Sequence, residues 1–85
     1  MNNVGIRNLH AEIYPNPAIE SFQINVLSNQ PYSIEILNST GNLVCEIDNI
    51  NQSSVKINTK GMAKGMYFIK INGKSKIITK KIIVL

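Results

Sequence analysis

Gly65-Met66-Tyr67-Phe68-Ile69-Lys70-Ile71-Asn72-Gly73 is the stretch that decides the fold. It is too short for a stable helix, and it is dominated by aromatic and β-branched side chains opened by one glycine and closed by another. As the most apolar run of the chain it is the best candidate for a central strand. Alternation places Tyr67, Ile69 and Ile71 on the core face and turns Met66 and Phe68 outward, an unusual position for two large apolar groups. Asn72-Gly73 is the signature of a two-residue hairpin turn, which makes Lys74–Leu85 the next and last strand.

Working back from that strand, the same grammar repeats. Ala11–Tyr14, Ser21–Leu27, Tyr32–Leu37, Leu43–Ile47 and Ser54–Asn58 are short runs separated by turn residues, which with the two C-terminal strands makes seven. Phe22, Ile24 and Val26 alternate with Gln23 and Asn25. Tyr32, Ile34 and Ile36 alternate with Ser33 and Glu35, and Leu43, Cys45 and Ile47 with Val44 and Glu46. Val55 and Ile57 point inward. Pro15-Asn16-Pro17 removes two backbone donors and forces a kink or a strand switch after the first strand. Asn38-Ser39-Thr40-Gly41-Asn42 is a tight turn with Gly41 at a positive φ, and Asp48–Ser53 and Thr59–Lys64 are loops. No helical period of useful length occurs. The pattern predicts an all-β, immunoglobulin-like seven-stranded antiparallel β-sandwich. Met62-x-x-Gly65-Met66-Tyr67 resembles the tyrosine corner of such sandwiches, in which a tyrosine near the start of the sixth strand bonds back to the preceding loop.

Composition agrees. Fifteen isoleucines suit pleated surfaces and twelve asparagines suit turns. The 85 residues are enough for one domain and leave little room for a deep pocket. Residues 1–10 are expected to be a linker and 11–85 the domain. No segment has the length of a membrane span, and no signal-peptide pattern is present. A single cysteine, Cys45, excludes an internal disulfide. Charge is divided: residues 1–50 hold Arg7 against five acids, and residues 51–85 hold eight lysines and no acid. A basic half can bind nucleic acid, but the lysines alternate with apolar residues and no aromatics are interleaved for base stacking. Protection of exposed strand edges accounts for them better.

Catalytic signatures are lacking. His10 falls in the linker with no acid or nucleophile at a telling spacing, and Cys45 sits on an apolar strand face as a small hydrophobe. Asp48, Asn49 and Asn51 supply too few oxygens for calcium, and no paired acids support them. Asn38-Ser39-Thr40 and Asn51-Gln52-Ser53 match the glycosylation triplet, at positions where turns are needed anyway. The chain is read as a non-enzyme that uses no cofactor or metal.

The C-terminal run Lys76-Ile77-Ile78-Thr79-Lys80-Lys81-Ile82-Ile83-Val84-Leu85 has no cleanly apolar face in either alternation, unlike a strand buried on one side. Two readings are open. It is a template on which a partner, or a second copy of the chain, adds a strand, or it is an ordinary last strand whose register is shifted by a bulge.

Four segments together resemble the type A C-terminal sorting domain of the type IX (Por) secretion system of Bacteroidetes. Ile13-Tyr14-Pro15-Asn16-Pro17-Ala18 is similar to its opening motif, and Ile36-Leu37-Asn38-Ser39-Thr40-Gly41-Asn42-Leu43-Val44 to its middle hairpin. Gly65-Met66-Tyr67-Phe68-Ile69-Lys70-Ile71 is similar to its G-x-Y strand, and Thr79-Lys80-Lys81-Ile82-Ile83-Val84-Leu85 to its closing strand. The resemblance implies a non-catalytic signal at the end of a larger cargo protein. Such a signal is read in the periplasm by the outer-membrane translocon, then usually cut off by a sortase-like protease at or before the Asn2–Leu9 linker, leaving the cargo secreted or on the cell surface. It also implies that Pro15, Asn16, Pro17, Gly41, Gly65 and Tyr67 are structural marks. Thr79, Lys80, Lys81, Ile82, Ile83, Val84 and Leu85 become the partner-recognition strand. The residues leave room for an alternative, a surface adhesion or carbohydrate-binding sandwich, although a chain with no tryptophan and five aromatics offers little platform for sugars.

Overall fold

The computed structural model describes residues 9–85. Seven strands form: β1 (His10–Tyr14), β2 (Ser21–Leu27), β3 (Tyr32–Asn38), β4 (Leu43–Ile50), β5 (Ser54–Asn58), β6 (Gly65–Asn72) and β7 (Ile77–Val84). They make two antiparallel sheets, β1-β2-β5 and β4-β3-β6-β7, packed as an immunoglobulin-like sandwich. The expected inward faces of β2, β3, β5 and β6 hold, but on β4 a register shift between Ile36 and Leu37 sets Leu43 opposite Leu37, exposed on the outer face, so that only Cys45 and Ile47 of its expected face pack against the core. Phe22, Ile24, Ile34, Ile36, Ile69, Ile71 and Ile82 are the large side chains closed off from solvent, with Val26, Tyr32, Ile50, Ile57, Tyr67 and Val84 around them. Isoleucine dominates because its branched side chain fills the space between pleated sheets in few rotamers.

Two loops close the core with side-chain oxygens. Tyr67 Oη donates to Ala63 C=O at 2.6 Å, which is the tyrosine corner expected from sequence. Tyr32 Oη donates to Gln52 C=O, tying the start of β3 to the β4–β5 loop. Burial of Tyr32 pushes its phenol above the ordinary value of 10.0. Gly41 adopts φ 88° and Gly65 φ 139°, where a side chain would be strained. Asn38 Oδ1 accepts from Thr40 N–H, Thr40 Oγ1 and Asn42 N–H, so this asparagine is spent on shaping its turn.

The structure departs from the sequence reading in four further places. The β6–β7 connection is the four residues Gly73–Lys76, closed by Gly73 N–H to Lys76 C=O at 2.8 Å, and β7 begins at Ile77. A two-residue turn at Asn72-Gly73 would slide β7 along β6 and leave its last residues overhanging. The longer loop sets Ile82 opposite Tyr67 and Val84 opposite Gly65, inside the core. Second, β7 pairs with β6 through eight successive residues with no register shift, so a bulge does not explain its mixed pattern. Third, β4 continues past Ile47 to Ile50. Asn49, at φ 51°, lies where the register shifts, and Ile50 lands in the core opposite Tyr32. Fourth, β1 starts at His10, and Leu9 is buried against Gly73. The rest of the expected linker, residues 1–8, lies outside the described residues.

Candidate partner-recognition strand

β7 is an edge strand, neighbour to β6 on one side only. Its inward positions are Ile78, half-buried against the core, and Ile82 and Val84, fully buried. Lys80 occupies the same register between Ile78 and Ile82, opposite Ile69, and is exposed there at the open side of the sheet. A charge at an inward edge position discourages a second sheet from adding on. This explains why neither alternation of the C-terminal run reads as apolar: one lysine interrupts a core face.

Alternate residues of an antiparallel strand direct both backbone groups to one side. With β6 on one flank, Ile77, Thr79, Lys81 and Ile83 direct theirs to the other. That flank is not empty. Asn16 Nδ2 donates to Lys81 C=O and Asn16 Oδ1 accepts from Ile83 N–H, each at 3.0 Å. Ala18 N–H donates to Ile83 C=O at 2.7 Å, and Leu85 N–H donates to Ala18 C=O at 2.8 Å. Ala18 is fully buried and bridges Val84 in parallel. The Pro15-Asn16-Pro17 kink thus carries the chain from β1 in one sheet to the edge of β7 in the other, then back into β2. Both peptide bonds preceding these prolines are cis. The strand switch expected from the prolines is realised as a clip on the last strand.

The clip limits strand addition. From Lys81 C=O to Leu85 N–H the edge is already hydrogen-bonded, and among the described residues a partner strand, or a second copy of β7, meets open backbone only at Ile77, Thr79 and Lys81 N–H. A strand-addition template along the whole run Lys76–Leu85 does not fit this geometry beyond Lys81 N–H, because Asn16 mimics a peptide group and Ala18 supplies a real one.

The seven expected recognition residues therefore divide by environment. Ile82 and Val84 belong to the core. Lys80 guards the edge. Thr79, Lys81 and Ile83 lie on the outer face of the four-stranded sheet, and Leu85 is exposed beyond the strand. Beside them on β6, Met66 stands opposite Ile83 and Phe68 opposite Lys81, both half-buried and outward as expected. Leu37 of β3 lies next to Phe68, and Leu43 of β4 next to Leu37. One step along the sheet, Lys70 Nζ is 3.9 Å from Glu35 Oε1, which also accepts from Asn72 Nδ2 at 3.3 Å. Lys81 makes no ion pair among the described residues.

Of the marks implied by resemblance, Gly41, Gly65 and Tyr67 lie at the turn, the strand start and the corner. Pro15, Asn16 and Pro17 are exposed along the β7 flank. Sequence alone does not connect Asn16 to a strand more than sixty residues away. Its only signal is an asparagine held between two prolines. His10 lies on β1 and Cys45 on β4, in different sheets.

The sequence matches the family described as "Secretion system C-terminal sorting domain" over residues 12–85. It is 41% identical over 64 residues to Beta-agarase A of Zobellia galactanivorans, spanning 74% of this chain and 12% of that protein. The fold is similar, with a TM-score of 0.75 and 22% identity, to part of PorZ, a surface component of the type-IX secretion system of Porphyromonas gingivalis. That match covers 88% of this chain and 11% of that one. The chain thus spans about one eighth of the curated relative and one ninth of the solved one.

Proposed function

The chain belongs to the secretion system C-terminal sorting domain family, and on that premise we propose that it directs a larger cargo across the outer membrane through the type IX translocon. The observation that supports this reading most is the length of the family match, which takes in every strand after the first residues of β1 and runs through Leu85. A family of secretion signals, not of catalysts, also accounts for a sandwich whose polar side chains are spent on turns and clips. The translocon acts on a folded domain here, and the last strand, with Thr79–Leu85, is what it inspects. The cargo is delivered to the cell surface or the medium after passing through the periplasm. A sortase-like protease then cuts on the N-terminal side of Leu9, a position that keeps every described core residue in the sandwich, Leu9 included.

The test fuses a signal peptide and a fluorescent reporter to residues 1–85 and expresses the fusion in a type IX host and in the same host with its translocon disabled. Export in the first and periplasmic retention in the second is the expected result. Equal behaviour in both hosts refutes the reading.

A further inference from the structure

Resting on that sorting function, we propose that the partner reads the outer side-chain face of the β6–β7 pair and not the backbone edge of β7. The surface it presents is a folded protein face with an apolar strip beside a carboxylate. Two independent features lead here. The edge is occupied: Asn16 and Ala18 hold Lys81 C=O, Ile83 N–H, Ile83 C=O and Leu85 N–H. A partner strand pairing along Lys81–Leu85 would first have to break four hydrogen bonds and unseat the fully buried Ala18.

The outer face, by contrast, is ready-made. Met66, Phe68 and Ile83 adjoin one another across the β6–β7 ladder, and Leu37 extends the strip onto β3. All four are half-buried with no described strand over them, and the strip continues to the exposed Leu43 on β4, apolar surface of the kind that marks a contact site. One step along the sheet Lys70 pairs with Glu35, and the exposed carboxylate of Glu46 lies opposite Glu35 on β4, with β3 and β6 between it and β7. On the β7 side of the strip Lys81 stands opposite Phe68, and its charge has no ion-pair partner among the described residues. The β6–β7 part of the face therefore offers grease and the positive charge of Lys81, and its complement is grease and one carboxylate. Such a face also needs the clip. By capping the edge, Asn16 and Ala18 keep β7 from pairing non-specifically while leaving its outward side chains displayed.

Four fusions are compared in the type IX host: unmodified, Lys81→Glu, Phe68→Ser and Lys56→Glu. Lys56 is exposed on β5, in the opposite sheet, so its substitution makes the same change in net charge elsewhere. Thermal melts of the four domains check folding. Lys81 is exposed, so its substitution leaves the core intact and stays informative even if Phe68→Ser melts early. Export of the unmodified and Lys56→Glu fusions, with Lys81→Glu and Phe68→Ser reduced roughly tenfold, is the expected result. If Lys81→Glu and Phe68→Ser leave as readily as the unmodified fusion, the outer face is not read and the proposal falls, while the sorting function stands. If Lys56→Glu is retained as strongly as Lys81→Glu, net charge is being read and the proposal falls too. Retention of the unmodified fusion refutes the sorting function itself.

Discussion

Replacing Asn16 with alanine removes one side of the clip and nothing else. The asparagine is exposed and its amide makes two hydrogen bonds of 3.0 Å, to Lys81 C=O and from Ile83 N–H. A net hydrogen bond contributes about 0.5–1.5 kcal/mol, and at an exposed edge water replaces part of it, so the pair is worth about 1–2 kcal/mol. In a domain of this size that lowers the melting temperature by roughly 4–8 °C per kcal/mol. The effect is local as well. Ile83 N–H loses its acceptor, so its hydrogen exchange should quicken by about five- to tenfold, while Ile82 N–H, which faces β6, keeps its protection. Amide exchange followed by NMR, alongside a thermal melt, reads both. Unchanged Ile83 exchange with a melting point within 1 °C of the parent would show that the clip adds nothing to the edge, and the reasoning about a closed β7 flank would be wrong.

Four further outcomes follow from the same contacts. Tyr67→Phe removes the hydroxyl that binds Ala63 C=O and should cost about 1–2 kcal/mol by denaturant titration, whereas Tyr14→Phe, whose hydroxyl accepts from Asn25 at an exposed site, should cost less. Stability should fall as pH rises above about 10, because the unfolded Tyr32 ionises at its ordinary value while burial holds the folded phenol protonated to higher pH; the loss begins at the unfolded value and is complete above the folded one. Urea midpoints at pH 7 and pH 11 should show that fall, smaller in Tyr32→Phe. Leu9→Ala should cost about 2–3 kcal/mol although it lies before the first strand, since Leu9 packs on Gly73 from a buried position. Deleting Lys80–Leu85 removes Ile82 and Val84 from the core, each worth about 1.5–3 kcal/mol of burial, and should abolish the cooperative melt. An export defect in such a truncation therefore reports unfolding as readily as lost recognition, which is why point substitutions on the outer face are the sharper probe.

How much of this was legible beforehand depended on how far each signal reached along the chain. Period-two alternation is local, and it gave the strands and inward faces of β2, β3 and β6 residue by residue. Gly41 and the corner at Tyr67 were equally readable, because a turn glycine and a tyrosine bonding four residues back are short-range features. The β6–β7 loop was misread because Asn72-Gly73 is sufficient for a tight turn but does not compel one. The choice went to the register that buries Ile82 and Val84. Ile50 was missed because the positive φ at Asn49 shifts the alternation on which the reading relied.

The sequence by itself determined the architecture, through its alternating isoleucines and spaced asparagines, and its motifs determined the family. Only the tertiary structure decided what the last strand can offer a partner. Whether an edge is open depends on what lies beside it in space, and here that neighbour is Pro15-Asn16-Pro17-Ala18, from the other end of the chain. Side-chain periodicity reports which face of a strand is buried, but the hydrogen-bonding direction of an edge carries no side chains and so leaves no mark in the sequence.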